Sequence, residues 1–489
     1  MRGLRRLLGA AESGGLMIEF DVSTPSLPGD LSILAGSRPT APFLIRPAEN
    51  ADDLASYRRL RRDSFVVDQG MFSGSDHDDI DDDPRVVVLI AAAADGSVLG
   101  GVRLAPVGGV DLGWWTGSRL VVDRSTRITG IGAALVRAAC AYAESAGVLR
   151  FEATVQRRYQ PMFTALGWDP LGDVEIAARP HVWMRRQINP FDALAAATKS
   201  FLGAALNPLR AVDGALGPAG FVGDDGSPVP GTDLVAACDA IIPSLVERDP
   251  EWAGWCSVLV NINDLSAMGA TPTGLLDAVA APTRAVLDRI IGGIAAASSA
   301  WAVPVLGGHT QLGVPAALSV TALGHTVSPV PAGGGVAGDR VRLTADTTGR
   351  WRRGYTGRQW DSTTSRNSAE LASMAGLVAR MAPRAAKDVS MAGVVGTVGM
   401  LAEASGTGAE LDVATIPRPA SAGMAPWLTC FPGFGMLTVG GALGSAAVPA
   451  GVASSECGSL TAEPGVRLRW PDGVTTTALT SPVTGLGKA

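Results

Sequence analysis

Lysine is nearly missing from this 489-residue chain: three lysines stand against 37 arginines. None of them, Lys199, Lys387 or Lys488, sits in a Gly-Lys-Ser/Thr context, which excludes a Walker A phosphate loop. Histidine is almost as scarce, and no two of His77, His181, His309 and His325 have the HExxH spacing of a zinc protease. Cys140, Cys238, Cys256, Cys430 and Cys457 form no CxxC and are widely scattered. That argues against a zinc ribbon or a disulfide scaffold and suits a reducing compartment. Charge is thin as well: 18% of residues are charged and the net charge is −6. A mildly acidic chain has no global electrostatic reason to bind nucleic acid or an anionic membrane.

Unbroken apolar runs are also lacking. Segments 290–308 and 419–455 carry no charge, but Gly292-Gly293, Pro304, Pro432, Gly440-Gly441 and Pro449 interrupt them. A spanning helix needs about 20 predominantly apolar residues without such breaks. The first residues contain arginines but no apolar signal-peptide region. The expectation is a cytoplasmic protein.

What the chain does have is apolar mass, 47% of its residues, and length for about three domains at ~150 residues each. A leader is expected over 1–40, punctuated by Pro25, Pro28 and Pro39. In 41–190 the pattern predicts a helix near 51–63, strands at 86–92, 98–104 and 119–122, and a helix over 131–145 closed by Gly147. A strand at 151–156, a short helix ending at Gly167 and a strand near 182–185 follow. Asn189-Pro190 reads as a linker. A second unit, 191–330, carries predicted strands at 234–237, 258–261, 303–306 and 318–324 and a helix at 284–300. A Gly/Pro-rich break at 329–338 opens a third unit, 331–489.

The first motif lies where strand 120–122 runs through Asp123-Arg124-Ser125-Thr126 into Arg127-Ile128-Thr129-Gly130-Ile131-Gly132-Ala133. Amides at a helix N-terminus converge on one spot and the helix dipole favours an anion there. Glycines allow close approach, and Arg127 adds charge. The competing interpretation is a plain Gly-rich turn. Phe163-Thr164-Ala165-Leu166-Gly167-Trp168 follows, and with the strand order this resembles the GCN5-related N-acetyltransferase (GNAT) family over 41–190. The resemblance implies acetyl-CoA or another acyl-CoA as cofactor. Its pyrophosphate would sit on the amides running from Arg127 through Gly130 and Gly132 to Ala133, and its pantetheine arm beside Val121 and Val122. The family's frequent Tyr proton donor is Phe163 here and an upstream Asn is Tyr159, so Tyr159 is the candidate substitute. Glu152 is either the general base or an ordinary strand-face carboxylate. The loop Asp76-His77-Asp78-Asp79-Ile80-Asp81-Asp82-Asp83 is similar to acetyltransferases of the autoinducer-synthase type. It reads as bait for a cationic amine or as a solvated loop.

The second motif is stronger. An apolar run ends in Asn261-Ile262-Asn263-Asp264 and continues through Ala267-Met268-Gly269-Ala270 to Pro272. Gly223-Asp224-Asp225 and Asp239 lie upstream, and Gly307-Gly308-His309-Thr310 downstream. Carboxylates at several strand ends can converge on Mg²⁺, which takes oxygen ligands and bridges phosphates. The competing interpretation makes Asp264 a helix cap. The order of motifs resembles the AIR-synthase/thiamine-monophosphate-kinase superfamily over about 200–485, including Asp388-Val389-Ser390-Met391 and Glu403–Ala409. The resemblance implies ATP and Mg²⁺ at a homodimer interface through 191–330, where small N-terminal sheets close into a barrel. It places Asp224, Asp225, Asp239, Asp264 and Asp388 as metal ligands, with Asn261, Gly307, Gly308, His309 and Thr310 on the nucleotide. Thiamine-phosphate kinases carry an acid where Met391 stands, which speaks against that kinase activity.

The fold expected is therefore α/β and α+β: a GNAT fold followed by a two-domain PurM-like (AIR synthase-like) module, with an ATP-binding domain over 191–330 and a C-terminal domain over 331–489. The fusion resembles an uncharacterised bacterial family associated with nitrilase gene clusters and nitrogen acquisition. Two functions compete. One is a bifunctional enzyme with an acyl-CoA-dependent N-acetyltransferase and a Mg-ATP-dependent phosphoryl-transfer domain acting on a small nitrogenous amine or amide. The other is a non-catalytic CoA- and nucleotide-binding sensor or scaffold.

Overall fold

In a computed structural model that describes residues 42–441, 448–480 and 482–489, the chain builds three main sheets. The leader expected over 1–40 lies outside the described residues, as does part of the charge-free stretch 419–455. No described helix is long and apolar enough to cross a membrane.

The first sheet has seven strands in the order Leu44–Pro47, Val87–Ala92, Val98–Pro106, Trp114–Val122, Arg150–Gln156, Arg179–Gln187, Trp168–Ile176. The strand Trp168–Ile176 is absent from the sequence-based expectation. Helix Ile131–Ser145 packs its Ile131, Leu135, Val136, Ala139 and Ala143 against this sheet. Trp114–Gly117 pair in parallel with Arg150–Ala153, and the two strands then part. Arg119, at φ +54°, bends the first of them. Tyr57 Oη donates to the Arg119 carbonyl at 2.8 Å, and Arg119 donates to Asp76 O and Asp78 Oδ2 at 3.0 and 2.9 Å, which holds this costly conformation.

The acidic loop is divided: His77, Asp79 and Asp82 are exposed, while three other carboxylates turn inward. Buried Arg61 binds Asp76 and Asp81 at 2.8 and 2.6 Å, and buried Arg103 binds Asp78 and Asp81 at 2.5 and 2.8 Å. Three of its carboxylates therefore serve as counter-ions to arginines drawn into the domain core.

The second sheet orders Val305–Leu312, Thr271–Ala281, Ala317–His325, Leu234–Ala240 and Ser227–Pro228. Helices Pro250–Ala267 and Arg284–Trp301 cover one face. The expected strand at 258–261 is instead the middle of helix Pro250–Ala267. A helix buried on every side loses the 3.6-residue polar alternation and imitates a buried strand. Ala317–His325 alternates buried and open positions and Val305–Leu312 is exposed throughout, so within one chain the other face is uncovered. Gly292-Gly293 does not break its helix. A Cβ on Gly293 would lie 2.0 Å from the Glu251 carbonyl, and one on Gly254 2.2 Å from that of Ile290, so these glycines let two helix backbones touch.

The third sheet has seven strands ordered Ala385–Asp388, Gly435–Val439, Arg340–Asp346, Val452–Thr461, Gly408–Asp412, Val466–Arg469, Thr475–Leu479. Helix Gly393–Ser405 is buried along nearly its whole length on it. Asn189-Pro190 is no loose linker. Asn189 caps helix Pro190–Thr198, donates to the Ala478 carbonyl at 3.0 Å, and Phe191 and Ala195 join the C-terminal core.

The acetyltransferase-like sheet docks on this C-terminal domain. Arg150, fully buried, binds Glu152 and Asp472 at 2.8 Å each and lies 3.9 Å from the Trp114 ring centroid, with Trp470 beyond it. Arg150→Met should strip Asp472 of its counter-ion and leave Glu152 with Arg185 alone, at a cost of about 1–3 kcal/mol. Scanning calorimetry reads this directly, and an unchanged transition would mean that docking rests on other contacts.

Candidate functional site

Helix Ile131–Ser145 begins at Gly130 in a left-handed conformation, φ +82°, and no side chain caps it. The first-turn amides of such a helix have no intrahelical partner. A Cβ added at Gly130 would meet nothing within 4 Å, so the space in front of the amides is open. The residues present thus fit a pyrophosphate group. Beside them Val121 and Val122 stand where their strand has left its parallel neighbour, with backbone groups on that edge available to an extended ligand.

The structure removes one candidate. Glu152 is 4% exposed and binds Arg150 at 2.8 Å, Arg185 at 2.6 Å and Trp114 Nε1 at 3.1 Å. A carboxylate so committed is a structural counter-ion and not a general base. Tyr159 is exposed, with Arg158 over its ring at 4.8 Å, while Phe163 is core and packs edge-on against Trp168.

The second candidate site forms where three distant segments meet. Carboxylate oxygens of Asp225, Asp264 and Asp388 all lie within 4.8 Å of one another. Asp264 comes from the last turn of helix Pro250–Ala267, Asp388 from the end of strand Ala385–Asp388, and Asp225 from the loop before strand Ser227–Pro228. The Asp388 amide donates to Asp225 Oδ2 at 3.0 Å, which ties two of the segments together. The Asp264 and Asp388 side chains receive no hydrogen bond among the described residues. Burial first, then the charges of Asp388, Asp239 and Asp225, push Asp264 well above the usual carboxylate range. Burial and Asp225 do the same to Asp388, with Lys387 opposing.

Asp224 and Asp239, expected among the ligands, are not in this group of three. Asp224 Oδ2 accepts from the Ala332 amide at 2.6 Å and Oδ1 from the Asp225 amide at 2.8 Å. Its burial beside Asp225 pushes it up to about 6, against the pull of Lys387. Asp239 lies on the same face of its strand as the buried Val235 and Ala237, opposite buried Val320, and burial raises its pKa. Gly307, Gly308, His309 and Thr310 lie within the exposed edge strand Val305–Leu312 and not in a turn after a strand. A Cβ on Gly308 would fall 1.7 Å from Asp277 Oδ1, so this glycine admits the Asp277 carboxylate.

Lys387 is the residue that sequence reasoning missed. Its ammonium hydrogen-bonds Asp225 and lies 3.7 Å from Asp224. Burial works against its charge, but the carboxylates of Asp225 and Asp224 outweigh that and raise its pKa. Lys199 also acts electrostatically on Asp239 and Asp388. Two of only three lysines in an arginine-rich chain serve one site; that rarity was the available signal.

The donor set fits a hard divalent cation: three carboxylates with one lysine, and buried Asn261 Oδ1 and Ser390 Oγ without hydrogen-bond partners. A folded-state pKa raised above the unfolded value means that the native state holds protons the unfolded state has released. Metal-free stability therefore falls as pH rises from about 4 through 6 and beyond. In EDTA, Asp264→Asn should be more stable than the parent by about 1–2 kcal/mol at pH 8, with the gap closing near pH 4. Thermal melts across pH check this; a less stable variant at pH 8 would make Asp264 a structural group.

Comparison with known proteins gives the following matches. Residues 54–168 match the acetyltransferase (GNAT) family. Residues 223–326 and 361–471 match the N-terminal and C-terminal domains of AIR synthase related proteins. An uncharacterized protein of Synechocystis is 37% identical over 231 residues, covering 45% of this chain and 70% of the relative. One from Methanocaldococcus jannaschii is 29% identical over 194 residues, covering 38% of this chain and 59% of the relative. A thiamine-monophosphate kinase of Synechococcus elongatus is 33% identical over 117 residues, 22% of this chain and 36% of the kinase. Among solved structures, one from Thermus thermophilus is 26% identical, covers 55% of this chain and 95% of its own, and has a TM-score of 0.43.

Proposed function

We propose, from the premise that the chain belongs to the AIR synthase related family and carries an acetyltransferase (GNAT) family domain ahead of it, that it is a bifunctional enzyme. One domain transfers an acyl group from CoA to an amine, and the other uses Mg-ATP to phosphorylate or activate a small nitrogenous metabolite. The observation that carries this reading is the meeting of Asp225, Asp264 and Asp388, buried, mutually repelling and without hydrogen-bond donors on two of them. A fold gains nothing in stability from such a cluster. It gains a place to hold a cation.

In this reading Asp225, Asp264 and Asp388 hold Mg²⁺, with Asn261 as a neutral oxygen donor. Bound there, the ion supplies positive charge against a triphosphate. Asp224 and Asp239 border the site, and 307–310, on the opposite edge strand of the sheet, would approach the phosphates only across the dimer interface. In the acetyltransferase domain, Arg127 and the amides from Gly130 to Ala133 hold the pyrophosphate of an acyl-CoA. The free edge at Val121 and Val122 takes the pantetheine arm. Tyr159, exposed and beside Arg158, gives a proton to the departing thiolate in place of the apolar Phe163. ATP turnover measured with and without candidate amines tests the whole. Mg-dependent hydrolysis stimulated by an amine supports the enzyme, and tight binding of both ligands without turnover favours a sensor or scaffold.

Gly130→Val should fold, because a Cβ there meets no atom within 4 Å, though at φ +82° it costs about 1–2 kcal/mol. The valine occupies the space in front of the amides, so CoA affinity should fall at least about tenfold, the effect of losing ~1.4 kcal/mol of binding. Unchanged affinity by calorimetry would remove the pyrophosphate assignment.

We also propose a C2 homodimer through 191–330. The edge strand Val305–Leu312 is open along its length, and Leu306 and Leu312 are 59% and 56% exposed. A long, open, apolar edge is a liability unless another chain covers it. Light scattering after size exclusion should give about twice the 49.9 kDa chain mass, and Leu306→Glu should reduce it to the monomer. A parent mass near 49.9 kDa rejects the dimer.

A further inference from the structure

The helix that delivers Asp264 has a second cavity at its opposite end. This space of about 630 Å³ is lined by Arg248, Asp249, Arg350, Arg352, Arg353 and Tyr355, among others. Asp249 precedes helix Pro250–Ala267 and Asp264 lies in its last turn; at ~1.5 Å per residue they are roughly 22 Å apart. The cavity is therefore separate from the acid cluster.

Its charges do not balance. Arg352 engages both lining acids, Asp249 at 3.1 Å and Asp361 at 3.5 Å, and lies 4.5 Å from the Trp252 ring centroid, while Arg289 lies 3.7 Å from Asp249. Arg248 donates to the Gly354 carbonyl at 3.0 Å and stacks over Tyr355 at 4.7 Å. Arg350 and Arg353 line the same space and have no ion pair or side-chain hydrogen bond among the described residues. The Tyr355 hydroxyl is buried without a hydrogen-bond partner. A mildly acidic chain has thus gathered four guanidinium groups around one opening and left two of them, and a hydroxyl donor, unmatched.

We propose that this cavity binds a phosphate-bearing small molecule without a divalent metal. Guanidinium forks match phosphate oxygens, and several donors from separate residues suit a tetrahedral group better than a flat carboxylate. No lining acid is left to hold a cation, since Arg352 takes both. The volume falls within the roughly 300–1,000 Å³ of small-molecule pockets, larger than inorganic phosphate requires.

The probe is sodium tripolyphosphate, titrated calorimetrically into the full chain in EDTA, with saturating CoA present to occupy the acetyltransferase loop. The parent should bind at micromolar concentration. Arg350→Ala/Arg353→Ala should bind at least about tenfold more weakly, having lost two charge-assisted donors. Both arginines are exposed, so the melting temperature should hold. Tyr355→Phe, which removes only the unmatched hydroxyl, should fold like the parent and bind severalfold more weakly. Absence of binding by the parent overturns the proposal, as does parent-like affinity in both variants. Citrate binding more tightly than tripolyphosphate overturns the phosphate assignment. EDTA keeps these outcomes distinct from any failure of the Mg-ATP reading.

Discussion

A helix with no solvent face governs this molecule. Pro250–Ala267 is buried on nearly every side, locked backbone to backbone against helix Arg284–Trp301 through Gly254 and Gly293. Each polar group it carries must find a partner inside the protein or remain at a cost. Ser257 donates back to the Gly254 carbonyl within the helix, while Asn263 donates to that of Gly433 and Ser266 to that of Ala375, so two of them stitch the helix to its surroundings. Asn261 is half satisfied and Asp264 is not satisfied at all. The unmet demand is concentrated in the last two turns, where Asp225 and Asp388 arrive from elsewhere. The chemistry proposed for this site follows from that uneven satisfaction.

Lys387 sets how much of the cost the folded protein bears. Burial raises the pKa values of Asp224, Asp264 and Asp388, neighbouring carboxylates add to it, and the one buried ammonium opposes it. A second lysine in contact would neutralise the pocket and leave no reason for a cation to enter. No lysine would leave the acids repelling without restraint. Arginine at position 387 would be larger, and its planar fork would commit to the carboxylates bidentately. The compact ammonium holds the pocket together while leaving oxygens of Asp264 and Asp388 uncommitted.

Local chemistry was legible in the sequence, and its spatial context was not. The Arg127–Ala133 turn could be named from spacing within a few residues, whereas Asp225, Asp264 and Asp388 were joined as one site only by the resemblance to a family. Helix 250–267 was misread at 258–261 because a fully buried helix shows the same unbroken apolar run as a buried strand. Glu152 looked like a free strand carboxylate; its neutralisation depends on Arg185, far along the chain, and on Arg150, which also answers to Asp472. The role of Lys387 depends on Asp224 and Asp225, more than 150 residues away in sequence. Asn189-Pro190 read as a linker because the group that receives Asn189, the Ala478 carbonyl, lies 289 residues on in the chain.

The third sheet links the two proposed activities physically. Asp388 ends its first edge strand, while Asp472 lies in the turn joining the two strands at the opposite edge and grips Arg150 of the acetyltransferase-like sheet. Five or six strand spacings of ~4.8 Å separate them, roughly 25 Å. The acyl-transfer edge at Val121–Val122 lies farther still along its own strand from the docked end at Trp114. Reacting groups must approach to about 3–3.5 Å, so the two centres of one protomer cannot act on the same atom at once. Any intermediate made at one has to travel to the other. What the rigid docking through Arg150, Trp114 and Trp470 can fix is the direction in which each site opens, and hence how far a released product must diffuse.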